Sequence, residues 1–170
     1  MVQKIVKKMI EQERSENYNP FEKIKKPIKI AKKIKLRSRA FRQAIIEAYD
    51  FKCAVCGMKI YSPDNHQWEV EAAHIVPHSS NGKDDILNGL ALCRLHHWAF
   101  DVGWFTLKDN FKVLVSGKIQ DLSADFGRMW NYNFMGQMLK EDLFISLPGN
   151  QQNHPHPNAI KWHRENIFYL

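Results

Sequence analysis

The sequence predicts an α+β fold in which short strands and helices share one core. Apolar residues repeat at helical spacing in residues 2–10 and 41–49, whereas residues 68–74 alternate as a half-buried strand does. The chain has 170 residues, of which 44% are hydrophobic, so it is long enough for one domain with a short extension. We expect residues 1–36 to form that extension and residues 37–170 to form the domain.

The extension is predicted to be an amphipathic helix followed by a Lys-rich arm. A helix over residues 2–14 would carry one apolar stripe, formed by Val2, Ile5, Val6, Met9 and Ile10. That stripe must be buried either on the body of the protein or against a second copy. Pro20 and Pro27 and the partly alternating IKIAKKIKL favour an extended arm or edge strand over residues 15–37.

The domain is predicted to begin with a helix over residues 39–49, capped by Ser38. A strand is expected to end at His74, and a polar loop to follow over residues 78–85. The segment NGLALC then leads into a second helix over residues 94–102.

Towards the C-terminus, Gly103 would end that second helix at its C′ position. A hairpin is predicted over residues 104–116, turning at Asp109 and Asn110. A closing helix capped by Asn158 is expected to contain Trp162.

The positive charge is concentrated in one segment. The formal net charge is +7, and residues 23–42 hold seven lysines, three arginines and no acidic residue, so the rest of the chain carries −3. A polyanion suits such a segment because neutralised phosphates release counterions, although a solvated arm or an anionic-lipid patch fits the charge equally well. The candidate nucleic-acid contacts are Lys32, Lys33, Lys35, Arg37, Arg39 and Arg42.

Composition also bears on the compartment. No apolar run approaches the roughly 20 residues that cross a bilayer, and the charged start of the chain has no secretory h-region. The chain has three cysteines, and an odd number argues against a disulfide framework. We expect a soluble cytoplasmic protein with no membrane partner.

The cysteines fall into a pattern that suits a metal. Cys53 and Cys56 form one pair, and Cys93 and His96 form a second pair of equal spacing. Four such ligands satisfy the tetrahedral preference of Zn²⁺, and a closed site of this kind is structural. The alternatives are buried cysteines that act as small apolar residues, or the adjacent His97 as the fourth ligand.

His97 and Asp101 are four residues apart on the same predicted helix, so their side chains share one face. One imidazole and one carboxylate with open positions suit Mg²⁺ or Mn²⁺. The spacing alone therefore predicts a second, hydrophilic ion site beside the zinc site.

The motifs, taken in order, resemble the HNH (ββα-metal) endonuclease family. They are C-x2-C, A-H-I-x-P, N-G-L-x-L-C and H-H-x3-D, and the closest resemblance is to a prokaryotic restriction-type branch reading FRxxxxxAYxxxCAxxG, VEAAHIxP and NGLALxxxxHxxFDxG. The terminal HPHPNAIKWHRENIF also matches that branch. The resemblance covers residues 37–170 and implies a ββα-metal core acting on double-stranded DNA.

The resemblance also implies a role for each matching residue. His74 matches the general base that takes a proton from the attacking water, and Asn88 matches the residue that orders the loop between the strands. His97 matches a ligand of the catalytic ion. The products would carry a 5′-phosphate and a 3′-hydroxyl, as expected of a restriction or defence nuclease.

One position departs from the wider family. Many members carry His or Asp just before the general base, whereas this chain has Ala73, as the close branch does. Glu71 lies on the same strand face two residues earlier, so we expect it to be a further ligand of the catalytic ion.

Other functions remain open at the level of the sequence. A zinc-knuckle nucleic-acid binder without catalysis is the main alternative, although His74, His97 and Asp101 are all present. A cysteine-dependent hydrolase is disfavoured because the cysteines suit zinc. An RNA substrate and a homodimer are both compatible with the sequence. His163 and Arg164 are expected either to contact phosphate or to close the core.

Overall fold

The computed structural model describes residues 2–12, 16–22, 31–118 and 142–170. Its strands form two antiparallel hairpins, which confirms the α+β class. The helices and strands, numbered along the chain, are α1 (Val2–Ile10), α2 (Ala31–Ala48), β1 (Val70–His74), β2 (Gly89–Cys93), α3 (Arg94–Asp101), β3 (Phe105–Leu107), β4 (Val113–Val115) and α4 (Pro157–Asn166).

Helix α1 buries its apolar stripe on the body of the same chain. Val6 and Met9 belong to the main core, and α1 packs against α2. The helix ends at Ile10, earlier than expected. Since the stripe is covered within one chain, it gives no support to the possible homodimer.

Helix α2 begins further upstream than the sequence suggested. It starts at Ala31, so the prediction of an extended chain is wrong for residues 31–37, and Ser38 lies inside the helix rather than at its cap. Lysine and arginine are good helix formers, and the alternation of IKIAKKIKL did not outweigh that propensity. The division of the chain between residues 36 and 37 remains a prediction.

The downstream half of α2 has the predicted apolar face. Phe41, Ala44, Ile45 and Tyr49 are all buried. This face rests on β2 at Gly89, where a Cβ would lie 2.3 Å from the Cδ1 atom of Ile45. Glycine at this position therefore lets α2 approach the strand closely.

Strands β1 and β2 and helix α3 form a ββα unit. His74 pairs with Gly89 and Val70 pairs with Cys93, so the ends of the hairpin carry the residues of both predicted sites. All five residues of β2 are buried. The loop over residues 75–88 joins the two strands and contains two short 3-10 helices, His78–Ser80 and Ile86–Asn88.

The N-terminal segment docks on that loop, which the sequence did not predict. The backbone N–H of Glu22 donates to the carbonyl of Asn81 at 2.7 Å, and Lys83 N–H donates to the carbonyl of Pro20 at 2.8 Å. The side chain of Gln12 donates to Asp85 at 2.7 Å. The loop is therefore held from outside as well as by its own strands.

The hairpin β3–β4 and helix α4 close the domain, as predicted. Gly103 has φ of +79° and follows the C-cap of α3. The predicted cap of α4 is wrong: the His156 ring, at the N-cap, accepts from the backbone N–H of Asn158 at 3.1 Å. The Asn158 side chain instead donates to the carbonyl of Tyr18 at 2.8 Å. Among the described residues, no helix combines the length and apolar character needed to cross a bilayer.

Candidate active site and metal centre

The two Cys/His pairs converge on one point beneath the ββα unit. One ligand atom each of Cys53, Cys56, Cys93 and His96 lies within 4.8 Å of the other three. The Cys56 and Cys93 sulfurs are 4.0 Å apart, close to the edge of about 3.8 Å expected for a tetrahedral ion with Zn–S bonds of about 2.3 Å. The group therefore has the composition and size to hold a structural metal.

Local backbone contacts build this site. The N–H of Gly57 donates to the carbonyl of Cys53 at 2.8 Å, and Gly57 has φ of +71°, which turns the first knuckle sharply. The N–H of Ala54 donates to the carbonyl of Ala91 at 2.8 Å, so the knuckle is fastened to β2. The second pair follows directly because Cys93 ends β2 and His96 lies in the first turn of α3.

Within the cluster, deprotonation of one thiol disfavours deprotonation of the other two. A hydrogen bond from Cys93 lowers the pKa of Cys53 and raises the pKa of Cys93 itself, and burial raises the pKa of Cys56. Two further thiolates in this cluster would repel the first. A divalent cation is the partner that allows all three to be deprotonated together.

His96 and His97 face two different sites. His96 is fully buried, and its Nδ1 lies 3.0 Å from the sulfur of Cys93 and 3.6 Å from that of Cys53. The His97 side chain is 24% exposed and faces the carboxylates of Glu71 and Asp101. Successive helical residues are about 100° apart, so α3 separates the two imidazoles.

The His97 ring lies between two carboxylates. Its Nδ1 is 2.9 Å from Oε2 of Glu71, and its Nε2 is 3.4 Å from Oδ2 of Asp101. Arg94 lies 3.4 Å from the other oxygen of Glu71. Burial raises the pKa of Asp101, and electrostatic attraction to His97 and His74, when these are protonated, only partly offsets this.

His74 lies at the end of β1 in a different set of contacts. Its Nε2 is 3.0 Å from Oδ1 of Asp84, and its ring stacks on Phe41 with centroids 4.1 Å apart. Nε2 of His78 is 2.8 Å from the same oxygen of Asp84. These three residues, His74, His78 and Asp84, form a second group with ligand atoms within 4.8 Å of one another.

Asn88 braces the loop that carries Asp84. It is fully buried, and its side-chain oxygen accepts from the N–H of Val76 at 2.9 Å. Its amide nitrogen donates to the carbonyls of Val76 and Lys83, both at 3.0 Å. Every polar atom of the side chain therefore joins two parts of the same loop.

Two surface clefts meet at His74. The larger has a volume of about 700 Å³, and Arg42, Glu71 and His97 line it together with His74. The second has a volume of about 570 Å³ and is lined by His74 and Asp101. The structure therefore brings His74, His97 and Asp101 to one open surface, while the Cys/His group lies apart from it.

Of the basic residues predicted to contact nucleic acid, the structure describes the side chains of two. Arg39 and Arg42 are exposed on α2, and Arg42 lines the larger cleft. The side chains of Lys32, Lys33, Lys35 and Arg37 are not among the described parts of the chain, and residues 23–30 of the predicted arm lie outside the described residues.

His163 and Arg164 close the core. Nε2 of His163 donates to the carbonyl of Phe100 at 3.1 Å, and its Nδ1 lies 2.9 Å from the hydroxyl of Thr106. Burial lowers the pKa of His163 to about 4. Arg164 donates to the carbonyl of Leu107 at 2.9 Å and to Asp109 at 2.8 Å.

Sequence reasoning missed Asp84 and assigned nothing to His78. Asp84 sits in a polar loop ten residues after His74, where a carboxylate is usually solvated. The sequence could indicate this role of Asp84 only if the fold of the loop were also known, because Asp84 reaches the two histidines only when the loop folds back. The hydrogen bonds of Asn88 hold the loop in that folded-back form.

Comparison with known proteins agrees with this geometry. Residues 53–108 match the family model described as HNH endonuclease, and this matched segment contains both Cys/His pairs, His74 and Asp101.

A solved structure described as the modification-dependent TagI restriction endonuclease matches with a TM-score of 0.53 and 21% sequence identity. The match covers 75% of this chain and 37% of that one, so the present chain spans well under half of its length. This likeness shows a shared fold. Comparison with curated proteins gave no significant match.

Proposed function

We propose that the chain is a metal-dependent DNA endonuclease of the restriction or defence type, with His74 as its general base. The observation that carries the proposal is the meeting of His74, His97 and Asp101 at two adjoining open clefts on an HNH segment. A basic side chain, Arg42, lines the same surface.

His74 is suited to take a proton from water. Imidazole is the side-chain group that most often serves as a general base in enzymes. The His74 side chain is 18% exposed, so water and substrate can reach it, while stacking on Phe41 limits the positions of the ring. The attacking water would lose its proton to His74 as it adds to the scissile phosphate.

His97 and Asp101 would hold Mg²⁺ or Mn²⁺, because one carboxylate oxygen and one imidazole nitrogen lie 3.4 Å apart on one exposed helix face. When bound, such an ion offsets the charge that develops on the phosphate and the leaving 3′ oxygen. Cleavage on that side of the phosphorus gives the 5′-phosphate and 3′-hydroxyl products.

Glu71 is better suited to orient His97 than to bind the ion directly. It contacts Nδ1 of His97, whereas Asp101 lies beside Nε2. A carboxylate on the far nitrogen fixes the tautomer of a ligating histidine and raises its basicity. We therefore assign Glu71 this supporting role in place of the direct ligation expected from the sequence.

Zinc is the proposed occupant of the Cys/His group, with a structural role. Thiolates and one imidazole at tetrahedral spacing favour Zn²⁺, and three of the four residues are buried. The group fastens the knuckle at Cys53 to the end of β2 and the start of α3. Zinc binding would therefore stabilise the unit that carries the catalytic residues.

The proposed substrate is double-stranded DNA. Arg39 and Arg42 project from α2, and Arg42 reaches the cleft that contains His74. Contacts from arginine to phosphate position a duplex without reading its sequence. The seven lysines of residues 23–35 would supply further positive charge for contacts with phosphate.

The test is cleavage of supercoiled plasmid by the purified chain with Mg²⁺ or Mn²⁺, compared with His74→Ala. We expect the wild type to nick or linearise the plasmid and the variant to lose about 10²- to 10⁴-fold in rate. Zinc content and thermal unfolding, measured on both proteins, would show that they are equally folded.

A wild type that binds zinc and retains DNA in a gel shift, yet leaves the plasmid intact, would contradict the proposal. That result would favour the zinc-knuckle binding module without catalysis. Equal cleavage by wild type and His74→Ala would show that the general base is a different residue. A matched single-stranded RNA substrate would separate DNA from RNA preference.

A further inference from the structure

A buried carboxylate behind the proposed general base has no role in the function proposed above. Asp84 is only 5% exposed. Its Oδ1 lies within hydrogen-bond distance of two imidazole nitrogens, Nε2 of His74 at 3.0 Å and Nε2 of His78 at 2.8 Å. Asp84 lines neither of the two clefts that expose His74. It therefore contacts the base from the protein side and not from the substrate side.

The charge of Asp84 decides which nitrogen of His74 carries the proton. Burial raises the pKa of Asp84, but the hydrogen bond to His74 and the charge of His78 outweigh burial and hold the pKa below its usual value. The carboxylate is therefore ionised at neutral pH, and an ionised carboxylate only accepts hydrogen bonds. Nε2 of His74 must then be the protonated nitrogen.

A neutral imidazole has one N–H and one lone pair, so the lone pair of His74 lies on Nδ1. Among the described residues, none forms a hydrogen bond to Nδ1 of His74. The His74 ring is also stacked on Phe41 at an interplanar angle of 19°, and this stacking opposes tilting of the His74 ring out of its plane. The basic atom is thus free while the rest of the ring is fixed.

We propose that Asp84 is a positioning residue that selects the Nε2-protonated tautomer of His74 and so makes Nδ1 the atom that accepts the proton. His78 helps to fix the shared oxygen of Asp84. This inference rests on the proposed nuclease function for its catalytic consequence, but the tautomer itself is a property of the resting protein.

The proton balance is simple. A proton of the attacking water moves to Nδ1, and the electron pair of that O–H bond forms the new bond to phosphorus. The bond from phosphorus to the 3′ oxygen breaks, and solvent protonates the departing oxygen. His74 becomes an imidazolium, and the negative charge of Asp84 stabilises that cation without taking its proton.

The direct test is long-range ¹H–¹⁵N NMR on the full zinc-loaded chain at neutral pH, in which the ring nitrogens of His74 are assigned with a His74→Gln variant. We expect a protonated Nε2 and an unprotonated Nδ1. A protonated Nδ1 would overturn the proposal, and so would an Nε2 that carries a metal ion instead of a proton.

Variants at position 84 connect the tautomer to the reaction. Asp84→Ala removes the acceptor, so we expect mixed tautomers and a roughly 10²-fold lower kcat with little change in KM. In Asp84→Asn, two imidazole N–H groups face the amide, which turns its oxygen towards them. That variant should retain the wild-type tautomer and recover part of kcat.

Asp85→Asn is the matched control, because Asp85 lies in the same loop but caps a 3-10 helix through the N–H of Leu87 at 3.0 Å. Asparagine caps equally well, so wild-type spectra and rates are expected. An Asp84→Ala protein that keeps the wild-type tautomer would contradict the proposal. If the wild type fails to cut DNA, the nuclease proposal fails, while the NMR result still decides the role of Asp84.

Discussion

Two neighbouring sites on the same helix differ in how they are built. Three of the four residues of the Cys/His group are buried, and the four come from two short segments in which the members of each pair are separated by two residues. The open site at His74 and His97 draws its residues from β1, a long loop and α3. The first site suits a structural role because it is closed, whereas the second suits chemistry because it faces two clefts.

Adjacent residues of α3 serve the two sites. His96 points inward to the cysteines, and His97 points outward to the cleft. A change in the rotation of α3 would disturb both sites together, so an ion bound at the Cys/His group would help to set the orientation of the proposed catalytic side chains. The folding role of one site and the proposed catalytic role of the other can therefore be separated by experiment.

The largest effect is expected on removal of the structural ion. A strong chelator under reducing conditions, or the variant Cys93→Ser, should remove on the order of 10 kcal/mol of folding free energy and unfold the domain. Thermal unfolding followed by circular dichroism measures this. A metal-free protein that melts at the same temperature as the zinc-loaded protein would show that the Cys/His group is not structural.

A smaller loss is expected when the loop of the open site is loosened. Asn88→Asp keeps the acceptor for Val76 N–H but leaves the carbonyl of Val76 without a donor and that of Lys83 with only the N–H of Asp85, and it adds a buried charge. One unsatisfied carbonyl and one lost hydrogen bond should together cost about 3 kcal/mol. Urea unfolding of the zinc-loaded variant measures the cost, and a loss below about 1 kcal/mol would contradict the bracing role.

His163 predicts a pH dependence of stability. Its pKa is lowered to about 4 from the ordinary 6.5, so the unfolded chain binds the extra proton between those values. The contribution, about 3 kcal/mol, is present above pH 6.5 and is lost as the pH falls towards 4.

His163→Gln should therefore show a flatter decline of unfolding free energy over that range than the wild type. Acid also weakens thiolate ligation to the structural ion, but that contribution is common to both proteins and cancels in the difference. Parallel curves for the two proteins would show that His163 is not the titrating group.

The smallest effect is expected at the DNA surface. Arg42→Ala should weaken duplex binding only a few-fold and should lower the slope of log affinity against log salt by about 1. Gel shifts at several salt concentrations measure this. Lys161→Ala, which removes an exposed lysine paired with Glu165 outside both clefts, is the control and should leave the slope unchanged.

The sequence was sufficient for features set by local spacing. The two Cys/His pairs and the His97 and Asp101 pair lie within single turns, so their geometry follows from the knuckle and the helix. Gly103 and the β3–β4 hairpin were predictable for the same reason.

Features set by chain folding were not predictable in this way. Asp84 reaches His74 only because Asn88 folds the loop back, and the docking of residues 18–22 depends on backbone contacts that no side-chain pattern reports. The start of α2 was missed because a Lys-rich segment with alternating isoleucines suits both a strand and a helix. The packing of α1 against α2 stabilises the helix and resolves that choice.

The most direct test of the central claim, that one ion folds the protein and another supports the reaction, is a single sample measured for zinc, fold and cleavage. Dialysis against a weak chelator should leave one zinc per chain and an unchanged circular dichroism spectrum, but no cleavage of plasmid. Added Mg²⁺ should restore cleavage to the wild type and not to Asp101→Asn. Full cleavage before Mg²⁺ is added, or equal restoration in Asp101→Asn, would contradict the claim.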